Sequence, residues 1–338
     1  MRATTIHGPR DIRVEDVPDP RIKRPTDAIV KVKAGCVCGS DLWPYRDEST
    51  SGGHTIGHEA IGEIVEVGGE VRDFRVGDFV VVPFCQSDNT CAACATGGYG
   101  GCENLGMTQS GQAEYTRVHQ ADGSLVAVPD GEPDAALLPS LLTLSDVMAT
   151  GWHAAVSAGV TPGSTAVVVG DGAVGLCGVL AARELGAERI IALSRHEPRQ
   201  ELAKKFGATH IVPQRGKEAT AAVMEITGGV GSDATLECVG MDDAMRTAFA
   251  VARPGTTVGF VGVPQDVQLP IGKMFSKNIG LAGGMAPVRK YLPDLLDRVL
   301  TGAIDPGQVF DLTLPLEQAP EAYRAMDERR AIKVLLQP

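Results

Sequence analysis

At 338 residues the chain is long enough for two domains of ordinary size, each burying its own core. Its 43% hydrophobic and 22% charged content is that of a globular protein, and 41 Gly with 21 Pro point to many tight turns, not to disorder. The formal charge is −11, the basic residues are scattered, residues 1–20 hold no apolar leader and no run of about 18 apolar residues occurs; nucleic acid and membrane are therefore excluded as expected partners, and a soluble cytoplasmic protein is expected.

In chain order, residues 1–150 read as short β-rich segments, among them 28–34, 60–67 and 79–83, broken by Gly, Pro and Asp turns. From about Thr161 the texture changes. Apolar strand candidates at 165–170, 190–193, 211–212, 234–239, 257–261 and 279–281 alternate with helical patterns at 173–185, 199–206, 217–227 and 241–251. Such alternation predicts a parallel sheet covered on both faces, so the fold class is α/β, with residues 151–285 as the doubly wound domain. The tail, 286–338, carries a helical stretch near 291–300 and a closing strand candidate at 331–336, and is expected to pack back on the first domain, 1–150.

The strand 165–169 runs into Gly170-Asp171-Gly172-Ala173-Val174-Gly175, and a helical pattern follows. This is the G-x-G-x-x-G pattern in the context that a dinucleotide requires. Gly170 permits the tight turn, Gly172 the approach of backbone to pyrophosphate, and Gly175 the close packing of helix on strand, while the helix start offers free N–H groups. The end of the next strand selects the cofactor, because an acidic residue there binds the ribose 2′-OH of NAD. Here it reads Ser194-Arg195, with no carboxylate in the discriminating place, and Arg195 can pair with a 2′-phosphate. NADP(H) is the expected cofactor; the alternative has Arg195 solvated and Glu197 on the ribose.

Eight cysteines are present, six of them within the first 102 residues, and in a cytosolic chain such clustering argues for metal before disulfides. Asp88-x2-Cys91-x2-Cys94-x7-Cys102 has the rhythm of a lobe that closes around a tetrahedral structural zinc, with Asp88 in one ligand's slot and Cys85 as its competitor. A second, dispersed set comprises Cys38-Gly39-Ser40-Asp41, Gly57-His58-Glu59 and Asp146. Cys38, His58 and Asp146 would supply three ligands to a catalytic zinc, and Glu59 can fill the exchangeable position. Read singly each of these is bland: a buried cysteine, a satisfied histidine, an aspartate capping the following helix.

In this order the motifs resemble the zinc-dependent medium-chain dehydrogenase/reductase superfamily, the alcohol dehydrogenase-like proteins, across essentially the whole chain. In pattern it is most similar to bacterial NADP-dependent secondary alcohol dehydrogenases, which use Asp as third zinc ligand and carry Ser-Arg after the second strand, matching Asp146 and Ser194-Arg195. The resemblance implies a GroES-like β-barrel catalytic domain (1–150 and 286–338) interrupted by a Rossmann domain (151–285). It implies zinc and NADP(H) as cofactors, a small alcohol or carbonyl compound as substrate, and a homodimer or homotetramer. By the same resemblance Ser40 passes the hydroxyl proton, Thr150 lies near the nicotinamide, and Asp41 orients His58. Two departures stand out. Trp43 replaces a relay histidine and is expected to border the substrate pocket unless it is a core aromatic, and Asp88 replaces the usual first cysteine of the lobe.

The expected activity is hydride transfer between NADP(H) and an alcohol/carbonyl pair, either secondary alcohol and ketone or aldehyde. An NAD-dependent polyol or sugar dehydrogenase of the same superfamily is the nearest rival, and a zinc-independent quinone or enone reductase is disfavoured by the cysteine lobe. A non-catalytic zinc- and dinucleotide-binding scaffold or redox sensor is the reading from another class.

Overall fold

The computed structural model describes residues 1–338, which divide into two compact units, Met1–Asp146 with Pro287–Pro338, and Val147–Ala286. No helix is long and apolar enough to cross a membrane.

The first unit is built on a seven-stranded sheet in the order Val126–Ala127, Phe79–Val82, Ala60–Val67, Ala28–Val37, Lys333–Gln337 and Phe310–Pro315, with Tyr115–Val118 also paired to Ala28–Val37. Ala28, Val30 and Val32 alternate with the exposed Lys31 and Lys33, so the apolar side chains share one face. They pack with Ile64, Val80, Val82 and Leu125, each side chain removing enough apolar surface from water to contribute about 1.5–3 kcal/mol. Beyond Lys33 the alternation ends and residues 34–37 are all buried. The strand therefore runs three residues past its expected end at 34. Gly35, Cys36 and Val37 pair there with Leu336, Leu335 and Val334, partners nearly the whole chain away. This pairing carries the chain to Cys38.

The second unit holds six parallel strands in the order His210–Val212, Arg189–Leu193, Thr165–Val169, Ser232–Glu237, Ala252–Phe260 and Gly280–Gly283. Helices Ala173–Glu184, Glu197–Phe206, Gly216–Ile226 and Asp242–Val251 connect them, as the alternating pattern predicts. Val167, Ile191, Met245, Phe249 and Val258 form the centre of one core cluster, and the near-continuous apolar character of the inner strands follows from burial on both faces. The helix Val147–Ala158, which carries Thr150, belongs to this unit and buries nine of its residues, Thr150 included.

Candidate active site

Cys38 follows the buried end of the strand Ala28–Val37, and Asp41 lies in the turn before the short helix Leu42–Arg46. Gly57 precedes His58 with φ +94°, where a Cβ would stand 2.4 Å from Gln112 Cγ. Only glycine fits that turn. Asp146 is the last residue of the first unit, after the helix Leu138–Thr143. From these four places the fold gathers one ligand atom each from Cys38, His58, Glu59 and Asp146, all within 4.8 Å of one another. Cys38 Sγ is 3.6 Å and His58 Nε2 3.2 Å from Asp146 Oδ2. Tetrahedral zinc with bonds of about 2.0–2.3 Å sets its ligand atoms about 3.3–3.8 Å apart, which these spacings approach.

The surroundings fit a cation. Cys38, Glu59 and Asp146 are buried, and Glu59 Oε2 has no hydrogen-bond partner. Burial, with Glu59 beside it, pushes the Cys38 thiol up, and burial likewise raises the Glu59 carboxyl. Burial pulls His58 down, but Asp41, Cys38 and Asp146 outweigh it and hold the imidazole well above its usual range. A divalent cation would act against these shifts, because it favours the deprotonated forms of its ligands.

A network behind the ligands fixes their orientation. Asp41 Oδ1 lies 3.2 Å from His58 Nδ1, which turns Nε2 toward Cys38 and Asp146. Asp41 Oδ2 accepts from Cys38 N at 2.9 Å and from Gln112 Nε2 at 3.0 Å, and Tyr323 donates its hydroxyl to Gln112 Oε1 at 3.1 Å. On the other side Lys333 Nζ donates to Glu59 Oε1 at 2.6 Å and to Val37 O at 3.3 Å. Phe84 packs edge-on against His58 with ring centroids 6.1 Å apart. Of these, only Asp41 carried a local signal in the sequence; Gln112, Tyr323, Lys333 and Phe84 sit in no recognisable motif. Ser40 and Trp43 lie in the turn and helix that follow Cys38, both partly buried.

The second cluster unites Asp88, Cys91, Cys94 and Cys102, again with one ligand atom each within 4.8 Å. Cys85 stands apart from it, in a two-residue strand paired with Met107, its thiol pushed up to about 11 chiefly by burial. Cys102 Sγ accepts from the N–H groups of Asp88 and Asn104, both at 3.3 Å. Asp88 Oδ1 accepts from Thr90 N and Cys91 N at 2.8 and 3.0 Å, and Oδ2 from Asn104 Nδ2 at 2.8 Å. Burial would raise the Asp88 carboxyl, yet these donors hold it well below the usual carboxylate range, as a ligand oxygen requires. Burial pushes the Cys94 thiol to about 12, while backbone hydrogen bonds lower Cys91.

In the second unit Gly170 adopts φ +119°, and a Cβ on Gly175 would fall 2.0 Å from Gly170 O. Gly172 caps the helix Ala173–Glu184, and a Cβ there would meet nothing within 4 Å, so its face is open to an approaching group. A loop with these properties fits a dinucleotide pyrophosphate at the starts of Ala173 and Val174. The end of the strand Arg189–Leu193 brings a correction. Although the sequence has no acidic residue at Ser194-Arg195, a carboxylate is present there in space, because Asp171 from the glycine loop reaches across. Its Oδ2 accepts from Ser194 Oγ at 2.9 Å and from Arg195 N at 3.3 Å. Arg199, in the first turn of the next helix, stands 3.4 Å from Asp171 Oδ1. The adjacent parallel strands set the two loops side by side, a proximity that residue order does not display.

Comparison with known proteins agrees with this architecture. Residues 24–130 match the alcohol dehydrogenase GroES-like domain and residues 173–301 the zinc-binding dehydrogenase domain. The chain is 35% identical to zinc-type alcohol dehydrogenase B of Aspergillus flavus, over 99% of this chain and 81% of that one. It is 31% identical to sorbitol dehydrogenase of Bacillus subtilis, covering 100% and 97%. Among solved structures, alcohol dehydrogenase TADH from Thermus sp. ATN1 superposes with a TM-score of 0.91 at 31% identity, covering 100% of this chain and 99% of that one. The chain belongs to the zinc-dependent medium-chain dehydrogenase/reductase superfamily. It is accordingly a zinc-dependent oxidoreductase of alcohols that uses a nicotinamide dinucleotide.

Proposed function

We propose that this enzyme interconverts a secondary alcohol and its ketone, or an alcohol and aldehyde, with NADP(H), at a catalytic zinc held by Cys38, His58 and Asp146 with Glu59 as a conditional fourth ligand. The observation that carries the reading is the convergence of those four ligand atoms within 4.8 Å around an unpartnered buried Glu59 Oε2. When bound, the ion supplies Lewis-acid polarisation of the substrate oxygen, and the hydride chemistry belongs to the nicotinamide. The chain's own residues do the rest. Asp41 holds His58 in the tautomer that leaves Nε2 available, Ser40 hands the hydroxyl proton on, and Trp43 borders the pocket. Thr150 would help to hold the nicotinamide. Asp88, Cys91, Cys94 and Cys102 hold a second, structural zinc.

Support for NADP(H) comes from the cations around Ser194, the Arg199 guanidinium 3.4 Å from Asp171 and Arg195 next along the chain, against which Asp171 and Glu197 set opposing charge. The nearest alternative, an NAD-dependent polyol dehydrogenase, is favoured by the likeness to a sorbitol dehydrogenase. Cys38→Ser tests the zinc assignment: turnover on a panel of alcohols and carbonyls, run with NADPH and NADH, should vanish while NADPH binding persists. Turnover that survives in Cys38→Ser, or in wild-type enzyme stripped by a chelator, would remove the zinc mechanism.

A further inference from the structure

The carboxylate that the strand end lacks arrives from the neighbouring loop, and it occupies a particular set of donors. Asp171 takes the Ser194 hydroxyl, the Arg195 N–H and the Arg199 guanidinium. A hydroxyl, a backbone N–H and a guanidinium at the end of the second strand are the groups that would bind an anionic oxygen on the adenosine ribose. In this chain they are already satisfied by an anion of its own. The Asp171 and Arg199 side chains are only 19% and 14% exposed, so the pair is shielded from solvent, unlike a surface ion pair.

We propose that Asp171 is a specificity-determining residue, a resident carboxylate that accepts the ribose 2′-hydroxyl of NAD(H) and competes with the 2′-phosphate of NADP(H) for Ser194, Arg195 and Arg199. The inference rests on the dinucleotide reading of the glycine loop, and it qualifies the NADP(H) preference: the two arginines attract the phosphate, and Asp171 sets how much of that attraction is realised. Its position in the sequence is part of the argument. A residue between Gly170 and Gly172 stands on the loop that the pyrophosphate approaches, where a negative charge opposes phosphate unless a cation neutralises it. Arg199 supplies that cation, and in a second contact its Nη1 donates to the Asp171 carbonyl at 3.3 Å. Removing the carboxylate thus takes the negative charge from beside the guanidinium and leaves that backbone contact in place.

The test measures binding, independently of turnover. Zinc-loaded wild-type enzyme, Asp171→Asn and Asp171→Ser are titrated by calorimetry with 5′-AMP and with adenosine 2′,5′-bisphosphate, which differ only in the 2′-phosphate, and by fluorescence with NADH and NADPH. Relief of like-charge contact is expected to raise the preference for the 2′-phosphate by about tenfold or more in both variants. NADH should weaken at the same time, through loss of the acceptor for its 2′-hydroxyl. A preference that stays constant, or that shifts toward 5′-AMP, in either folded variant overturns the proposal, because it makes Asp171 an organiser of the phosphate site and not its rival. The wild-type preference between NADPH and NADH is a separate readout. If wild-type enzyme binds NADH more tightly while the variants move toward phosphate, the NADP(H) reading fails and the role of Asp171 stands.

Discussion

Lys333 Nζ and Glu59 Oε1 form an ion pair of 2.6 Å between side chains that are 1% and 0% exposed, directly behind the cluster of Cys38, His58 and Asp146. Burying two charges costs several kcal/mol per ion before their attraction offsets it, so the pair is weak evidence for stability in itself. Its use is positional. With Oε1 held by Lys333, only the unpartnered Oε2 remains to face a cation, which makes Glu59 a restrained and not a mobile carboxylate.

Lys333→Met should therefore be costly in a specific way. It leaves Glu59 buried without its partner, and a loss of about 3–5 kcal/mol is expected. The double variant Lys333→Met with Glu59→Leu should recover much of that loss, because no lone charge is left behind. Denaturant unfolding of the wild type, the single variant and the double variant decides the matter. A single variant within about 1 kcal/mol of wild type would mean that water reaches Glu59 and that the pair is not a restraint.

The residues of the site were unequally legible in the sequence. Cys38, His58 and Glu59 stand in short motifs, and the spacing of Asp88, Cys91, Cys94 and Cys102 brings them together within a single lobe. Asp146 is the weakest of the set, a candidate that nothing local distinguishes from a helix cap and that the resemblance strengthens. Lys333 could not be found at all: it reaches Glu59 because the last strand pairs with Ala28–Val37 across almost the full length of the chain. The same pairing extends that strand past residue 34. The contact of Asp171 with Ser194 carries no signal in the glycine motif, because a sequence shows which strand a residue follows but not which neighbouring strand its side chain reaches.

The Asp88 lobe allows a second prediction. Cys91, Cys94 and Cys102 are soft ligands, while the Asp88 oxygens also serve Thr90, Cys91 and Asn104 as hydrogen-bond acceptors. Cys102→Ser should lower the zinc content from two ions per chain to one and increase proteolysis within residues 85–105. Asp88→Cys should keep two ions and slow their loss to a chelator, since thiolate is the stronger partner for zinc. Metal analysis by atomic emission supplies the count. One ion per chain in the wild type would show that the lobe is closed by hydrogen bonds without metal, and two ions retained by Cys102→Ser would remove Cys102 from the ligand set.

The last prediction concerns assembly, which members of this superfamily commonly show. The strand Gly280–Gly283 ends the parallel sheet of the second unit, so one row of its backbone N–H and C=O groups has no strand beside it. Nearby in sequence, the helix Ile271–Lys277 exposes Ile271 at 62% and Phe275 at 87%, and Met285 is exposed as well. An unprotected edge is a template for another strand, and a two-fold axis lets identical edges pair antiparallel with each other. Two chains joined there in a continuous sheet would cover Phe275 with the partner. Phe275→Asp places a charge where an apolar ring would then be buried and should reduce the mass of any assembly formed through this edge. Light scattering at micromolar concentration reads the mass directly. A wild-type protein with the mass of one chain, or a Phe275→Asp variant whose mass is unchanged, would place the contact elsewhere or remove it.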